Sequence, residues 1–191
     1  MEALQYVSKE QLEAGMDYIR QSPKDLGLLK MIVRRPLEDE REILEEGELN
    51  LSEGLVGDTW KMRSSRHTRD GSANPESQIT IMNARASELV AQDRERWPLA
   101  GDQLYVDMDL SDENLPPGTQ LAIGSAILEV SAQPHTGCKK FSTRFGVEAM
   151  KFVNSPEGRH LHLRGINTRV VRGGLIRVGD RVKKIDGTRL S

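Results

Sequence analysis

The stretch TRVVRGGLIRVGDRVKKI, residues 168–185, indicates the fold class because it consists of short β-branched runs separated by glycine turns. The first two runs lie on either side of Gly173-Gly174, and a second turn follows at Gly179-Asp180. Short runs of this kind, with turn residues between them, are typical of β-strands joined by hairpins. We therefore expect a β-meander here.

The same pattern extends upstream. DQLYVDMDL, residues 102–110, alternates apolar and polar positions, and PPGTQLAIGSAILEVS, residues 116–131, predicts a turn followed by a long strand interrupted near Gly124. Many short strands with few helices favour a closed or nearly closed barrel. We expect a mainly β fold with some α structure, an antiparallel β-barrel built mainly from residues 101–132 and 159–186 with a few decorating helices.

Helical signals occur at three places. Ser8 lies three residues before Gln11, a capping-box pattern, and apolar residues follow at helical spacing until Pro23. Residues 76–97 predict a helix entered by a short strand, and STRFGVEAMKFVNS, residues 142–155, has near-helical apolar spacing. We divide the chain into an N-terminal helical arm, residues 1–27, and a barrel domain, residues 28–191.

Composition limits the functional class. The net charge of −2 and the 4% aromatic content argue against a nucleic-acid-binding surface. No apolar run approaches the roughly 18 residues of a membrane span, and no secretory signal is visible at the N-terminus. A single cysteine cannot form an internal disulfide, which is consistent with a reducing compartment. We expect a cytoplasmic protein without nucleic-acid or membrane partners.

That single cysteine lies in PHTGCKKFSTRFG, residues 134–146, a cationic segment between a predicted strand and a predicted helix. Lys139, Lys140, Arg144 and His135 surround Cys138 in sequence. Cations favour the thiolate, the form that binds metals and attacks sulfur. A buried structural thiol is the alternative. Because loops at strand ends often carry chemistry, we favour a functional Cys138 that is accessible and reactive.

A zinc site is a competing interpretation of the same region. His135 and Cys138 form an H-x-x-C pair, and His160 and His162 form an H-x-H pair that would share one face of a strand. These are suitable zinc ligands, but their spacing matches no standard zinc pattern. The pair of histidines is equally compatible with a polar barrel exterior.

A third candidate site is RSSRHTR, residues 63–69, within a long loop rich in Gly, Ser, Asn and Arg. Arg63, Arg66 and His67 flank two serines, and guanidinium groups with hydroxyls suit a phosphate or another anion. A solvated basic loop is the alternative. The sequence contains none of the standard nucleotide-binding, serine-hydrolase or zinc-protease motifs.

The ordered set G-C-x-K-F, R-F-G, L-R-G and G-D-x-V, between Gly101 and Val182, resembles the MOSC domain, named for the C-terminal domain of molybdenum-cofactor sulfurase. The similarity covers roughly residues 28–186 and includes an earlier GLVGD, residues 54–58. The resemblance implies a β-rich barrel that binds the molybdenum cofactor, a pterin dithiolene with a terminal phosphate.

The resemblance also implies roles for particular residues. It makes Cys138 the metal ligand and catalytic residue or a sulfur carrier, and it implies no pyridoxal phosphate site in this chain. A soft thiolate suits a metal that dithiolene sulfur already holds. We expect the cofactor to be bound by the basic and hydroxyl residues of the two cationic segments: His135, Thr136, Lys139, Arg144, Arg63, Arg66 and His67.

Three functions remain open at this point. The resemblance implies a molybdenum-dependent oxidoreductase that reduces N-hydroxylated compounds, or a non-catalytic carrier of persulfide sulfur or cofactor. A barrel that has lost its ligand is the third. With one cysteine and no flavin or nicotinamide fingerprint, a reductase needs a separate electron-donor protein, and a sulfur carrier needs a cysteine desulfurase.

Overall fold

The computed structural model describes residues 6–185 and shows a closed seven-stranded β-barrel. Around the barrel the order is β1, β11, β7, β8, β9, β5 and β6, which pairs again with β1. A smaller sheet has the order β10, β3, β4, and β2 pairs with the far end of β1. The strands are β1 (Gly27–Arg34), β2 (Glu42–Leu44), β3 (Glu46–Asn50), β4 (Gly54–Leu55), β5 (Ile79–Asn83), β6 (Leu104–Asp107), β7 (Gln120–Ile123), β8 (Ala126–Val130), β9 (Ile166–Arg172), β10 (Gly174–Arg177) and β11 (Arg181–Ile185).

The predicted antiparallel barrel is confirmed, with one parallel pair that was not anticipated. β5 and β6 run parallel, with Ile81 opposite Leu104 and Asn83 opposite Val106. A helical connection separates them, and a crossover of this kind returns the chain so that the second strand runs in the direction of the first. The barrel also draws on β1 and β5, which lie outside the two segments that we expected to build most of it.

The predicted meander at residues 168–185 is wrong in its middle strand. β9 and β11 belong to the barrel, whereas β10 leaves it and pairs with β3. Gly174 makes this departure possible, because a Cβ there would lie 2.6 Å from the backbone carbon of Ser125. The expected interruption near Gly124 is a hairpin turn between β7 and β8.

Residues 6–185 contain six short α-helices beside the barrel. Ser8 and Gln11 form the predicted capping box at the start of α1. The structure also confirms the helix directly after Cys138. The helices are α1 (Lys9–Ala14), α2 (Met16–Arg20), α3 (Ala84–Ala91), α4 (Lys139–Phe145), α5 (Val147–Asn154) and α6 (Pro156–His160), with short 3₁₀ helices at Thr59–Met62, Pro75–Ser77 and Arg94–Ala100. Among residues 6–185, no helix is both long and apolar enough to cross a bilayer.

Two hydrophobic clusters stabilise this arrangement. One fills the barrel interior, and the other lies between the barrel wall and the helices. β1 contributes to both, because Leu29 and Ile32 face inward while Met31 and Val33 face the helices. The arm helices α1 and α2 pack into the second cluster. The division into an arm and a barrel domain at residue 28 stays a prediction.

Candidate functional site

A cavity of about 880 Å³ lies where several connecting segments of the barrel meet. Its wall includes residues that follow β1, residues of the long loop after β4, the segment before β6, the segment between β8 and α4, and Arg164 before β9. A volume of this size suits a cofactor or a drug-sized ligand. The cavity unites segments that are far apart in the sequence.

A buried ion pair anchors one part of the cavity wall. The Arg35 Nη2 and Nε atoms donate to the two Asp58 carboxylate oxygens at 2.6 and 2.8 Å, and the Asp58 side chain is completely buried. Asp58 also accepts from the backbone N–H groups of Arg35 and Trp60. Burial acts to raise the pKa of Asp58, but the Arg35 charge and these hydrogen bonds outweigh it and lower the pKa overall. The pair therefore holds the end of β1 against the turn that carries Thr59 and Trp60.

Two further arginines in the wall have no acidic partner among residues 6–185. Within the described residues, neither Arg41 nor Arg63 forms an ion pair with a carboxylate; Arg41 donates to the carbonyl oxygens of Pro98 and Glu40. Desolvation lowers the pKa of Arg41, and the Arg144 and Arg35 charges lower it further. Arg63 is exposed, yet desolvation by the surrounding wall and the Arg35 charge lower its pKa as well. Neighbouring cations thus repel one another in this wall, and the carboxylates of Asp39, Asp58 and Glu38 offset part of that repulsion.

Two cations on α4 extend this charge to the rim of the cavity. Arg144 donates to the Leu99 carbonyl oxygen at 2.7 Å and to Asp39 at 3.3 Å, and Lys140 lies 3.9 Å from Glu38. Both carboxylates are exposed, so these surface pairs are weak and an anionic ligand can compete with them.

Cys138 lies in the cavity wall immediately before α4 and is exposed, as predicted. The segment that leads to it is fixed by Asn154, whose side chain accepts a hydrogen bond from Gly137 N–H at 2.8 Å and donates to the Gly137 carbonyl oxygen at 3.0 Å. A Cβ at position 137 would lie only 3.0 Å from Val153, so glycine allows this close contact. The thiol is thus accessible on a well-anchored segment.

His135 faces the same cavity from a mostly buried position. Its Nδ1 atom lies 3.6 Å from Asp102 Oδ1, and Arg164 Nη1 donates to the other Asp102 oxygen at 2.6 Å. Burial lowers the pKa of His135 well below its usual value, and the Arg164 and Arg35 charges lower it further, so the imidazole is neutral. Burial raises the pKa of Asp102, although Arg164 opposes that shift.

Hydroxyl and apolar groups complete the wall. Thr59, Ser64 and Ser65 add hydroxyls beside the arginines, whereas Trp60 and Phe141 are buried apolar parts of the wall. Two exposed apolar side chains, Leu37 and Met62, also line the cavity. The cavity therefore combines a cationic, hydroxyl-rich region with apolar contacts, a composition that suits an amphipathic anion.

The structure brings together four of the eight residues selected from the sequence. Cys138, His135, Arg144 and Arg63 line the cavity. The other four are exposed and lie outside its wall: Thr136, Lys139, Arg66 and His67. Their cofactor contacts stay predictions, since nothing in the structure tests them.

Sequence analysis missed several cavity residues. Arg35, Arg41 and Arg164 line the wall, and Asp102 lies directly behind it. A sequence signal existed for two of these residues. Arg164 belongs to the L-R-G element, and Arg35 pairs with Asp58, which ends the GLVGD element. No local pattern distinguishes Arg41 from a surface arginine.

The competing zinc site is not supported. His160 ends α6 and His162 lies in the following turn, so the pair does not share a strand face. His162 Nε2 lies 2.7 Å from Asp112 Oδ1, and His160 is near the same acidic turn. In the part of the chain that the structure describes, no three His, Cys, Asp or Glu side chains are grouped to hold a metal.

Comparisons with known proteins agree on the architecture. The family model described as "MOSC domain" matches residues 68–183. The YUAD protein from Bacillus subtilis superposes with a TM-score of 0.61 at 13% identity, over 83% of this chain and 94% of that one. YiiM from Escherichia coli superposes with a TM-score of 0.55 at 17% identity, over 83% and 70% of the two chains. YiiM from Geobacillus stearothermophilus gives 0.55 at 12% identity, over 84% and 75%. No curated protein matches significantly.

Proposed function

The chain belongs to the MOSC domain family, and we propose that it binds the molybdenum cofactor in the cationic cavity and reduces N-hydroxylated compounds there. Cys138 is the proposed metal ligand. The observation that carries this proposal is the combination, in one wall, of an exposed thiol with Arg41 and Arg63, two guanidinium groups that have no acidic partner in the part of the chain that the structure describes.

The residues present fit such a cofactor. A cavity of about 880 Å³ has room for a pterin with a phosphate. Arginine forks beside hydroxyls suit a phosphate, and Arg41 and Arg63 lie in the same wall as Ser64 and Ser65. The thiolate of Cys138 is a soft ligand that matches a metal already held by sulfur. Arg41 and Arg63 would hold the phosphate end, and Cys138 would bind the metal.

The proposed reaction is the two-electron reduction of an N–O bond. When bound, the cofactor would supply two-electron redox chemistry. The N–O bond of the substrate breaks, a separate electron-donor protein provides two electrons, one proton goes to nitrogen and one to the hydroxyl oxygen, which leaves as water. The apolar residues Leu37 and Met62 would contact the organic part of the substrate.

The test uses protein produced in a host that makes the cofactor. With reduced methyl viologen as electron donor, the wild type should convert benzamidoxime to benzamidine. Cys138→Ala should lose this turnover because it removes a metal ligand. Thr143→Ala, a matched change at an exposed position of the same helix α4 outside the cavity wall, should keep it. Turnover by Cys138→Ala at the wild-type rate contradicts the proposed role of the thiol.

A sulfur carrier is the second candidate, favoured by the exposure of Cys138. An accessible thiol can receive sulfur from a cysteine desulfurase and pass it to an acceptor. This function predicts no turnover with any reductant, and a persulfide on Cys138 after incubation with a desulfurase and cysteine. Protein that binds neither pterin nor sulfane sulfur contradicts both candidates and leaves a barrel without its ligand.

A further inference from the structure

Three buried polar atoms beside the cavity have no hydrogen-bond partner among the described residues. They are Asp102 Oδ1, His135 Nδ1 and Arg164 Nε, and all three are sealed from solvent. Buried polar groups in native proteins are nearly always paired, so an unpaired cluster calls for an explanation. The Nδ1 and Oδ1 atoms are 3.6 Å apart, slightly beyond hydrogen-bond range. Hydrogen bonds of functional groups are often this long before a ligand binds.

The burial of the two ring nitrogens shows how the His135 ring is oriented. The side chain is 19% exposed, and the sealed Nδ1 atom contributes nothing to that exposure. Within residues 6–185 the side chain forms no hydrogen bond, and Nε2 is not among the sealed atoms. Since His135 lines the cavity, Nε2 is the ring nitrogen that a bound ligand can reach.

The neighbours of Nδ1 determine where the imidazole hydrogen resides. Arg164 donates to Asp102 Oδ2 at 2.6 Å, and this charge-assisted hydrogen bond favours the ionised carboxylate against the burial that raises the pKa of Asp102. An ionised carboxylate only accepts hydrogen bonds, so it favours the imidazole hydrogen on Nδ1, the ring nitrogen that faces it. The positive charges of Arg164 and Arg35 and the nearby His162 all oppose a second proton on the ring.

We propose that Asp102 fixes His135 in the tautomer with hydrogen on Nδ1, so that Nε2 accepts a hydrogen bond from a ligand O–H group in the cavity. This inference rests on the proposed function for the identity of that ligand, the N–OH group of a hydroxylamine or amidoxime. His135 is then a catalytic residue that selects N-hydroxy substrates over analogues without the hydroxyl hydrogen. Asp102 is a positioning residue that acts through His135.

The tautomer is measured by ¹⁵N NMR of histidine-labelled protein without any cofactor. The chain has four histidines, and the signals that disappear in His135→Gln assign His135. We expect a protonated Nδ1 and an unprotonated Nε2 at neutral pH. Asp102→Asn keeps the shape of the side chain but removes its charge, and it should allow the other tautomer to appear. If that variant does not fold, the wild-type spectrum still decides. A wild type with hydrogen on Nε2, or on both nitrogens, overturns the inference.

Substrate discrimination is measured as the ratio of kcat/KM for benzamidoxime and its O-methyl ether. Loss of one hydrogen bond to the ligand should cost the wild type about tenfold on the ether. His135→Gln places an amide near the Nε2 position and should keep part of this ratio, whereas His135→Asn reaches only the Nδ1 position and should abolish it. His160→Gln, outside the cavity, serves as the control. Turnover of both substrates at equal rates by the wild type overturns the inference but leaves the reductase function standing. If the NMR spectrum shows the expected tautomer but neither substrate is turned over, the reductase function fails and the tautomer assignment stands.

Discussion

Replacing Asp58 with asparagine removes the negative charge that holds Arg35 in the cavity wall. The Asp58 side chain is completely buried and that of Arg35 is 7% exposed, so solvent cannot compensate the charge that remains. Breaking a buried pair by removing one partner typically costs about 3–5 kcal/mol. Domain stabilities are only about 5–15 kcal/mol, so the variant should be folded but close to marginal. Because Asp58 also accepts from Trp60 N–H, the turn beside the cavity should loosen as well.

Urea denaturation followed by circular dichroism measures the difference in unfolding free energy. The control is Asp39→Asn, which breaks an exposed ion pair with Arg144 and should cost no more than about 1 kcal/mol. Equally small losses of unfolding free energy in the two variants would contradict the prediction, because the Arg35–Asp58 pair would then contribute no more than a surface pair. A large effect of Asp39→Asn would also refute it.

Three other predictions concern stability. Because the pKa of Asp58 is lowered in the folded protein, the stability that it contributes should be fully present above about pH 4 and should disappear as the pH falls further. Urea titrations of the wild type and Asp58→Asn in acid measure the difference in unfolding free energy. A difference that grows in acid contradicts the prediction. Gly174→Ala should cost about 1–3 kcal/mol because its Cβ would lie 2.6 Å from the Ser125 backbone carbon, and an unchanged urea midpoint contradicts that contact. Cys138→Ala should change the unfolding free energy by less than about 0.5 kcal/mol because the residue is exposed, and a loss above 2 kcal/mol in thermal melts would indicate a structural thiol.

The features that the sequence predicted well depend on local contacts. The Ser8–Gln11 capping box involves residues three positions apart. The break near Gly124 was also predicted, although as an interruption of one long strand, whereas the structure has two strands joined by a hairpin turn. The departure of β10 from the barrel could not be predicted, because it depends on pairing with β3 more than a hundred residues upstream. Hairpin signals show where a chain turns, but they do not identify the strand that lies beside it.

The same distinction applies to the candidate site. Cys138 and Arg144 lie in one short cationic segment, so sequence reasoning found them. Arg164 and Asp102 form an ion pair across 62 positions, and Arg35 reaches Asp58 across 23. Such pairs leave no periodic pattern in the sequence. The motif elements indicated that Asp58 and Arg164 have some role, but only the folded structure shows which charges they hold.

Binding of the molybdenum cofactor in the cationic cavity is tested by the metal and pterin content of protein purified from a host that makes the cofactor. We expect the wild type to contain molybdenum and pterin in nearly equal molar amounts. The same content is expected in Arg177→Ala, a change at an exposed position whose ion pair with Glu46 lies outside the cavity wall. We expect a large loss of pterin in the double variant Arg41→Ala/Arg63→Ala, and a loss of molybdenum together with its pterin in Cys138→Ala. Wild-type protein without pterin, or equal pterin in all four proteins, would contradict binding in this cavity.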